Sequence, residues 1–450
     1  MTNKHYQPSA GQSALRRVAV IGSGISGLAV AHSLAEKAQV TLFEAGDYFG
    51  GHTHTVDVTL DGVTHGVDTG FLVLNERTYP NLLRLFERLG VAIAPSDMSF
   101  SAQVHARGLE WCGSSLNTVF AQRRNLLRPS FWRMLADIVR FNRIATDLAR
   151  RGGDPALEGS IGEFLEQQRF SKAFREDYLL PMIACIWSCP TAQMLAFPLA
   201  TLVRFCDNHG LLQVRNRPQW FTVKGGARNY VERMLKSIPD ARLNSPVRQV
   251  RRLHPGDATT GVVVSTEHGH ERFDDVVMAC HSDQALALLA EPSAAEAEVL
   301  GAIGYHNNRA VLHTDTSLLP KRRLAWAAWN YESAHHVSQE RAAVCLHYLL
   351  NRLQPLPFTT PVLVSLNPLT EPRAETVIAE FDYAHPVFDQ GAILAQRRLP
   401  ELQGHGQVWF CGAWTRYGFH EDGLLSAMAV SDQMQARWRT AEPYAAQEAA

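Results

Sequence analysis

The sequence predicts an α/β fold with a doubly wound parallel sheet, and three observations carry that expectation. A short β-branched run, Val18–Ile21, leads straight into Gly22-Ser23-Gly24-Ile25-Ser26-Gly27 and then into a segment with Leu28, Ala31, Leu34 and Ala35 at helical spacing. A second strand-like run, Val40–Phe43, closes on Glu44. The 450 residues exceed what one compact core holds, so two domains, or one elaborated by insertions, are expected.

Each element of the opening unit has a physical role. Gly22 permits the tight turn after the strand, Gly24 lets backbone approach a diphosphate, and Gly27 lets helix and strand pack closely. The helix N-terminus offers unpaired N–H groups to the same diphosphate. Glu44 falls where a carboxylate binds ribose hydroxyls, which argues against a 2′-phosphorylated dinucleotide. The unit therefore predicts dinucleotide binding.

Five residues after Glu44 comes Gly50-Gly51, followed by His52. This E-x5-G-G pattern resembles the fingerprint of glutathione-reductase-type FAD proteins, and in particular the flavin-containing amine oxidase, phytoene desaturase and protoporphyrinogen oxidase superfamily. Five further segments extend the resemblance in order: "VDTGF" (67–71), "VKGGARNYVERM" (223–234), "LNSPVRQVRRL" (243–253), "DDVVMACH" (274–281) and "VWFCGAWTRYGFHEDGLLSAMAV" (408–430). "GGHTHT" and "GFHEDG" are similar to a bacterial branch of NAD/FAD-binding proteins associated with fatty-acyl lipid modification.

The resemblance implies a Rossmann-like FAD domain built from 1–75, 220–285 and 400–440, interleaved with an α+β substrate domain from 76–219 and 286–399. It implies cofactor contacts from Gly22, Ser23, Gly24, Ile25, Ser26, Gly27, Glu44, Ala45, Gly50, Gly51, His52, Thr69, Gly70, Phe71, Val247, Gly412, Asp422, Gly423 and Leu424. Ala384 stands where some relatives carry the cysteine that bonds FAD, so non-covalent FAD is expected.

Composition narrows the partners. With 43 basic and 44 acidic residues there is no global field to draw nucleic acid. Seven scattered cysteines show neither redox nor zinc spacing and read as buried free thiols of a reducing compartment; no metal is expected. The N-terminus has no apolar leader and no run is long enough to span a bilayer, which predicts a cytoplasmic chain with a disordered lead-in. The Ala-rich tail reads as frayed.

The first insertion is helix-rich by spacing ("TYPNLLRLFERLG", "PSFWRMLADIVRFNRIATDLARR", "SIGEFLEQQRF"), and the second carries strand-like runs ("RAVLHTD", "PVLVSLN"). Across 123–151, eight arginines accompany Leu126, Leu127, Phe131, Trp132, Leu135, Ile138, Val139 and Phe141. This reads as one basic amphipathic helix on the inner membrane face, or as the solvated side of an ordinary packed helix. "PMIACIWSCP" and "RLAWAAWNYESAHH" (Trp326, Trp329, Tyr331) are candidate pocket walls.

Two departures from the amine oxidase pattern bear on chemistry. The family's lysine near the flavin is missing: the strand that looks equivalent offers Arg309 and His313. Where amine oxidases hold a pair of aromatic side chains, gap-free counting back from Gly412 and Asp422 gives His385 and His420. Two imidazoles make a poor cage for an ammonium and suit a proton acceptor with its partner. The expected function is an FAD-dependent oxidoreductase that removes hydride from a hydrophobic substrate and desaturates a (methyl-branched) fatty acyl chain of a lipid. The alternatives are an amine oxidase, a carotenoid or porphyrinogen oxidase, and a non-catalytic flavin-binding subunit.

Overall fold

The computed structural model describes residues 15–152, 157–213, 217–253, 260–334 and 343–448; the lead-in at 1–14 lies outside them. A five-stranded parallel sheet forms the base, in the order Asp240–Arg242, Gln39–Phe43, Arg17–Ile21, Asp275–Met278 and Val408–Phe410. Its central strand shows why the opening run is apolar throughout. Val18 and Val20 face one core while Ala19 and Ile21 face another, because side chains alternate along a strand and both faces are covered.

On the first face lies helix Ile25–Leu34, eight of whose ten residues are buried between the sheet and the closing helix His420–Glu448. A helix apolar on all sides has to be sandwiched in this way. The other face is covered by the antiparallel strands Gln249–Arg252, Val262–Thr266 and Gly269–Phe273 with helices Ser282–Leu288, Ala294–Gly301 and Gln390–Arg398.

Beside this base stands a seven-stranded sheet, ordered Leu109–Cys112, Phe100–Val104, Trp329–Glu332, Cys345–Leu349, Leu363–Leu366, Gly304–His313 and Val377–Val387. The parallel pairing of Phe100–Val104 with Trp329–Glu332 joins the two insertions into one sheet. Helices Pro129–Arg151, Ile161–Gln167, Leu180–Trp187 and Leu199–Asn208 share its core.

Several expectations change. The first insertion also supplies the hairpin 100–112, which its sequence did not announce. Helix Pro80–Leu89 buries Leu82, Leu85 and Phe86 against the dinucleotide-domain core, and Ala294–Gly301 and Gln390–Arg398 pack on the other face, so packing crosses the boundaries drawn at 75, 285 and 400. The basic stretch is not one helix: Arg123–Leu127 is a 3₁₀ turn and the α-helix starts at Pro129, whose ring holds Arg128 extended. The tail read as frayed continues the closing helix through Glu448.

Candidate active site

A cavity of about 980 Å³ starts at the glycine turn and ends between the seven-stranded sheet and its helices. At its first end the wall is backbone. A Cβ on Gly27 would sit 1.8 Å from the Gly22 carbonyl oxygen, so only glycine lets this helix start against the turn. A Cβ on Gly24 would meet nothing within 4 Å, leaving that side of the turn open to the cavity. Helix Ile25–Leu34 has no side-chain cap, so its first-turn N–H groups serve whatever occupies the cradle. Glu44 closes the second strand, and its carboxylate accepts from the Ser23 N–H at 3.0 Å, the Ser23 hydroxyl at 2.5 Å and the Gly46 N–H at 2.9 Å. These bonds fix the acid at the cradle's rim while lone pairs remain for ribose hydroxyls.

Sixteen of the residues expected at the site line this cavity: Gly22, Ser23, Gly24, Ile25, Ser26, Glu44, Ala45, Gly50, Gly51, His52, Gly70, Phe71, Val247, Gly412, His385 and His420. Five stand behind its wall. Gly27 and Gly423 are packing positions, and a Cβ on the latter would strike Ile25 and Ser26. Thr69 bonds the Tyr383 hydroxyl at 2.7 Å, and Leu424 is core. Asp422 accepts from the Tyr417 and Phe419 N–H groups, which sets the loop carrying Phe419 and His420, and burial pushes its carboxyl up to about 6.

Imidazoles crowd the middle of the cavity. His52 lies 5.2 Å, ring to ring, from His385 and 6.2 Å from His281, which stacks on Tyr305. Burial holds His52 down at about 4, with His281 adding to it, and holds His385 at about 3 with His52, His281 and His306 adding. His52 and His385 are therefore neutral at physiological pH, and burial lowers His281 as well. His52 lines the cavity, and its Nε2 is buried without a hydrogen-bond partner.

The proton on His385 is placed by a chain of amides. Asn367 is locked by the Arg309 N–H and the Val344 carbonyl, and its Nδ2 donates to Asn308 Oδ1 at 2.7 Å. Asn308 Nδ2 then donates to His385 Nδ1 at 3.0 Å, which leaves the proton on Nε2. His385 thus meets the cavity as a donor, and the proton-accepting role expected of it does not fit. His420 stacks on Phe71 at 3.7 Å with burial holding it at about 3, and its Nε2 is shared by the Tyr230 hydroxyl at 2.7 Å and Thr53 at 3.2 Å.

The sequence reading missed His209. Its Nδ1 lies 3.0 Å from the Phe205 carbonyl, which can only accept, so Nδ1 carries the proton and Nε2 the lone pair. His209 lines the cavity, stacks on Phe205 at 3.9 Å and lies 5.7 Å from the Phe419 ring; burial holds it at about 4. The candidate pocket walls are partly correct: Met182, Ile186 and Trp329 line the cavity, Trp326 and Tyr331 do not, and 335–336 lie outside the described residues. Arg309 is half-buried and paired with Glu371 and Glu380, while His313 is buried against Ser365, and neither lines the cavity.

Among the described residues one group has metal-ligating geometry, the buried Glu332, Cys345 and His347. Hydrogen bonds account for it. Asp315 N–H donates to His313 Nδ1, so His313 Nε2–H points at Ser365 and Ser365 at His347 Nδ1; His347 Nε2–H then meets Glu332 at 2.9 Å.

A family model described as flavin containing amine oxidoreductase matches residues 25–348. The chain belongs to this family. It is an FAD-dependent oxidoreductase. Solved structures similar in fold include a protein assigned as a protoporphyrinogen oxidase from Exiguobacterium sp. 255-15 (TM-score 0.67, 16% identity, 95% of this chain and 100% of that one). A fatty acid isomerase from P. acnes aligns with TM-score 0.63 and 14% identity over 95% and 99% of the two chains. Cyclohexylamine oxidase from Brevibacterium oxydans IH-35A aligns with TM-score 0.63 and 16% identity over 94% and 100%. At these identities the likeness is one of fold. FAD fits the cradle on the chain's own geometry: the open face at Gly24, the uncapped helix, Glu44 at the rim and the unmet Nε2 of His52.

Proposed function

We propose that this flavoprotein oxidises the hydrocarbon part of a fatty acyl chain to an alkene. The observation that carries the reading is the lining of the cavity beyond the cradle. Trp111, Leu135, Ile138, Met182, Ile186 and Trp329 line it, and among the described residues the sole carboxylate on the cavity wall is Glu44, in the cradle. A cationic substrate finds no counter-ion there, whereas an alkyl chain loses its water at a gain of about 25 cal/mol per Å² buried. Arg217, exposed on the same wall, suits a carboxylate or phosphate head group.

FAD, when bound, supplies the acceptor for a hydride. The chain's own residues do the remainder. The apolar wall excludes water and aligns the C–H bonds, and Phe71 on His420 with Phe419 on Phe205 forms a ring stack beside them. His209 Nε2 takes the proton from the adjacent carbon as the hydride leaves, so the two hydrogens depart as a hydride and a proton and a C=C bond remains. His385 Nε2–H donates into the cavity, toward developing negative charge.

A second reading is oxidation of an amine with an apolar body, favoured by the aromatic faces of Trp111, Tyr178, Trp329 and Tyr348 on the same wall. Incubation of the holoenzyme with bacterial phospholipid, free fatty acids or alkylamines, followed by mass spectrometry, separates the two. An acyl product lacking a pair of hydrogens is expected; an aldehyde and ammonia from amines, with lipid unchanged, would overturn the first reading.

A further inference from the structure

The outer surface of the first insertion carries an unusual concentration of exposed apolar side chains. Leu116 is 79% exposed, Leu127 88%, Val139 64%, Trp132 49% and Leu126 47%. They form one patch: the Trp132 indole donates to the Leu126 carbonyl at 2.9 Å, its ring lies 5.2 Å from Phe120, and Arg123 reaches back to Asn117 and the Phe120 carbonyl. On helix Pro129–Arg151, Trp132, Ala136, Val139 and Arg143 recur every three to four positions as its outward stripe.

The chain through this patch carries charge of one sign as far as Ala136, and the first exposed acid on the outward stripe is Asp147, one turn beyond Arg143. Residues 111–136 contain no acidic side chain and four arginines, at 123, 124, 128 and 133. The first acid that follows, Asp137, is buried and already engaged by Arg133, Arg140 and the Ser171 N–H. Protruding leucines and an interfacial tryptophan flanked by Arg123, Arg124 and Arg128 match an anionic bilayer surface, where apolar groups enter the acyl boundary and guanidinium groups stay at the phosphates.

We propose that this face docks the protein on the anionic surface of a lipid bilayer. The opposite side of helix Pro129–Arg151 faces inward: Leu135, Ile138 and Asn142 line the cavity, so one helix separates the docked face from the site. Docking rests on the surface alone and stands whether the substrate is a lipid or an amine.

The test is flotation of the holoenzyme with vesicles of phosphatidylethanolamine and phosphatidylglycerol, and with vesicles of phosphatidylcholine alone. The protein is expected to float with the first and at least tenfold less with the second. Leu127→Glu and the pair Arg128→Gln/Arg133→Gln should each reduce flotation about tenfold or more. Leu127 is almost fully exposed, so its variant keeps the fold, and an unchanged flavin spectrum checks this. Failure of the parent protein to float on anionic vesicles overturns the proposal, and so does full flotation of both variants. Light scattering without lipid covers the other occupant: a dimer that Leu127→Glu dissociates, with no flotation, would make this face a contact between copies.

Discussion

At the cradle end the cavity wall is backbone, shaped by Gly22, Gly24 and Gly51 with Gly27 packed behind them, all within one contiguous stretch. At the far end it is side chains, delivered by the hairpin 100–112, the helices 129–151, 180–187 and 199–208, and the strands at 329 and 348. At Gly22, Gly27 and Gly51 a Cβ would press on main chain, and at Gly24 it would stand in the open side of the cradle, so the first end tolerates almost no substitution. The second tolerates exchange of one apolar group for another, since it needs volume and dryness more than any single atom. One end fixes the cofactor and the other is free to change the substrate.

The sharpest way to break this contrast is Gly27→Val at the cradle, which drives a branched side chain into the Gly22 carbonyl. The protein should purify without flavin or fail to fold, as read by flavin absorbance and circular dichroism. Leu135→Met at the far end should keep the flavin and most of the activity. Comparable flavin loss in both would erase the distinction.

Next in size is His209→Asn, expected to slow anaerobic flavin reduction about 10²–10⁴-fold, the usual contribution of a general base. The sign with pH follows from its position. Burial holds the imidazole at about 4, so the accepting, neutral form persists throughout the neutral range. Reduction should be flat near neutrality and fall as pH drops through about 4. A rate limb near 6.5 instead would point to an exposed group.

Asn308→Asp reverses the tautomer of His385, because a carboxylate accepts where the amide donated. About tenfold slower reduction, or about 1.4 kcal/mol for one hydrogen bond, is expected together with a perturbed flavin spectrum. An unchanged spectrum and rate would remove His385 from the site's chemistry. The smallest effect is that of Arg217→Gln, a few-fold rise in KM for an anionic lipid with kcat preserved, since an exposed ion pair contributes about 1 kcal/mol or less.

The same contrast decides what the sequence discloses. The cradle is legible because strand, glycine turn, helix, strand and Glu44 succeed one another within Val18–Glu44, and spacing alone dictates their geometry. His385 and His420 are found by counting back from glycine landmarks, but their chemistry is not, since Asn308 lies 77 positions from His385 and Tyr230 lies 190 from His420. His209 gives no signal at all: it ends a helix whose other residues read as plain core, and only folding brings it beside Phe419. The break at Pro129 was readable from proline's missing N–H, yet the apolar periodicity on both sides masked it.

The central claim is that the far end accepts an uncharged hydrocarbon chain. Anaerobic titration of the oxidised holoenzyme with fatty acids and phospholipids, in parallel with putrescine and cyclohexylamine, tests it most directly. The account predicts that lipid bleaches the flavin band and that putrescine, a dication with no carboxylate to meet beyond Glu44, leaves it unchanged. Bleaching by the amines with none by lipid would contradict it.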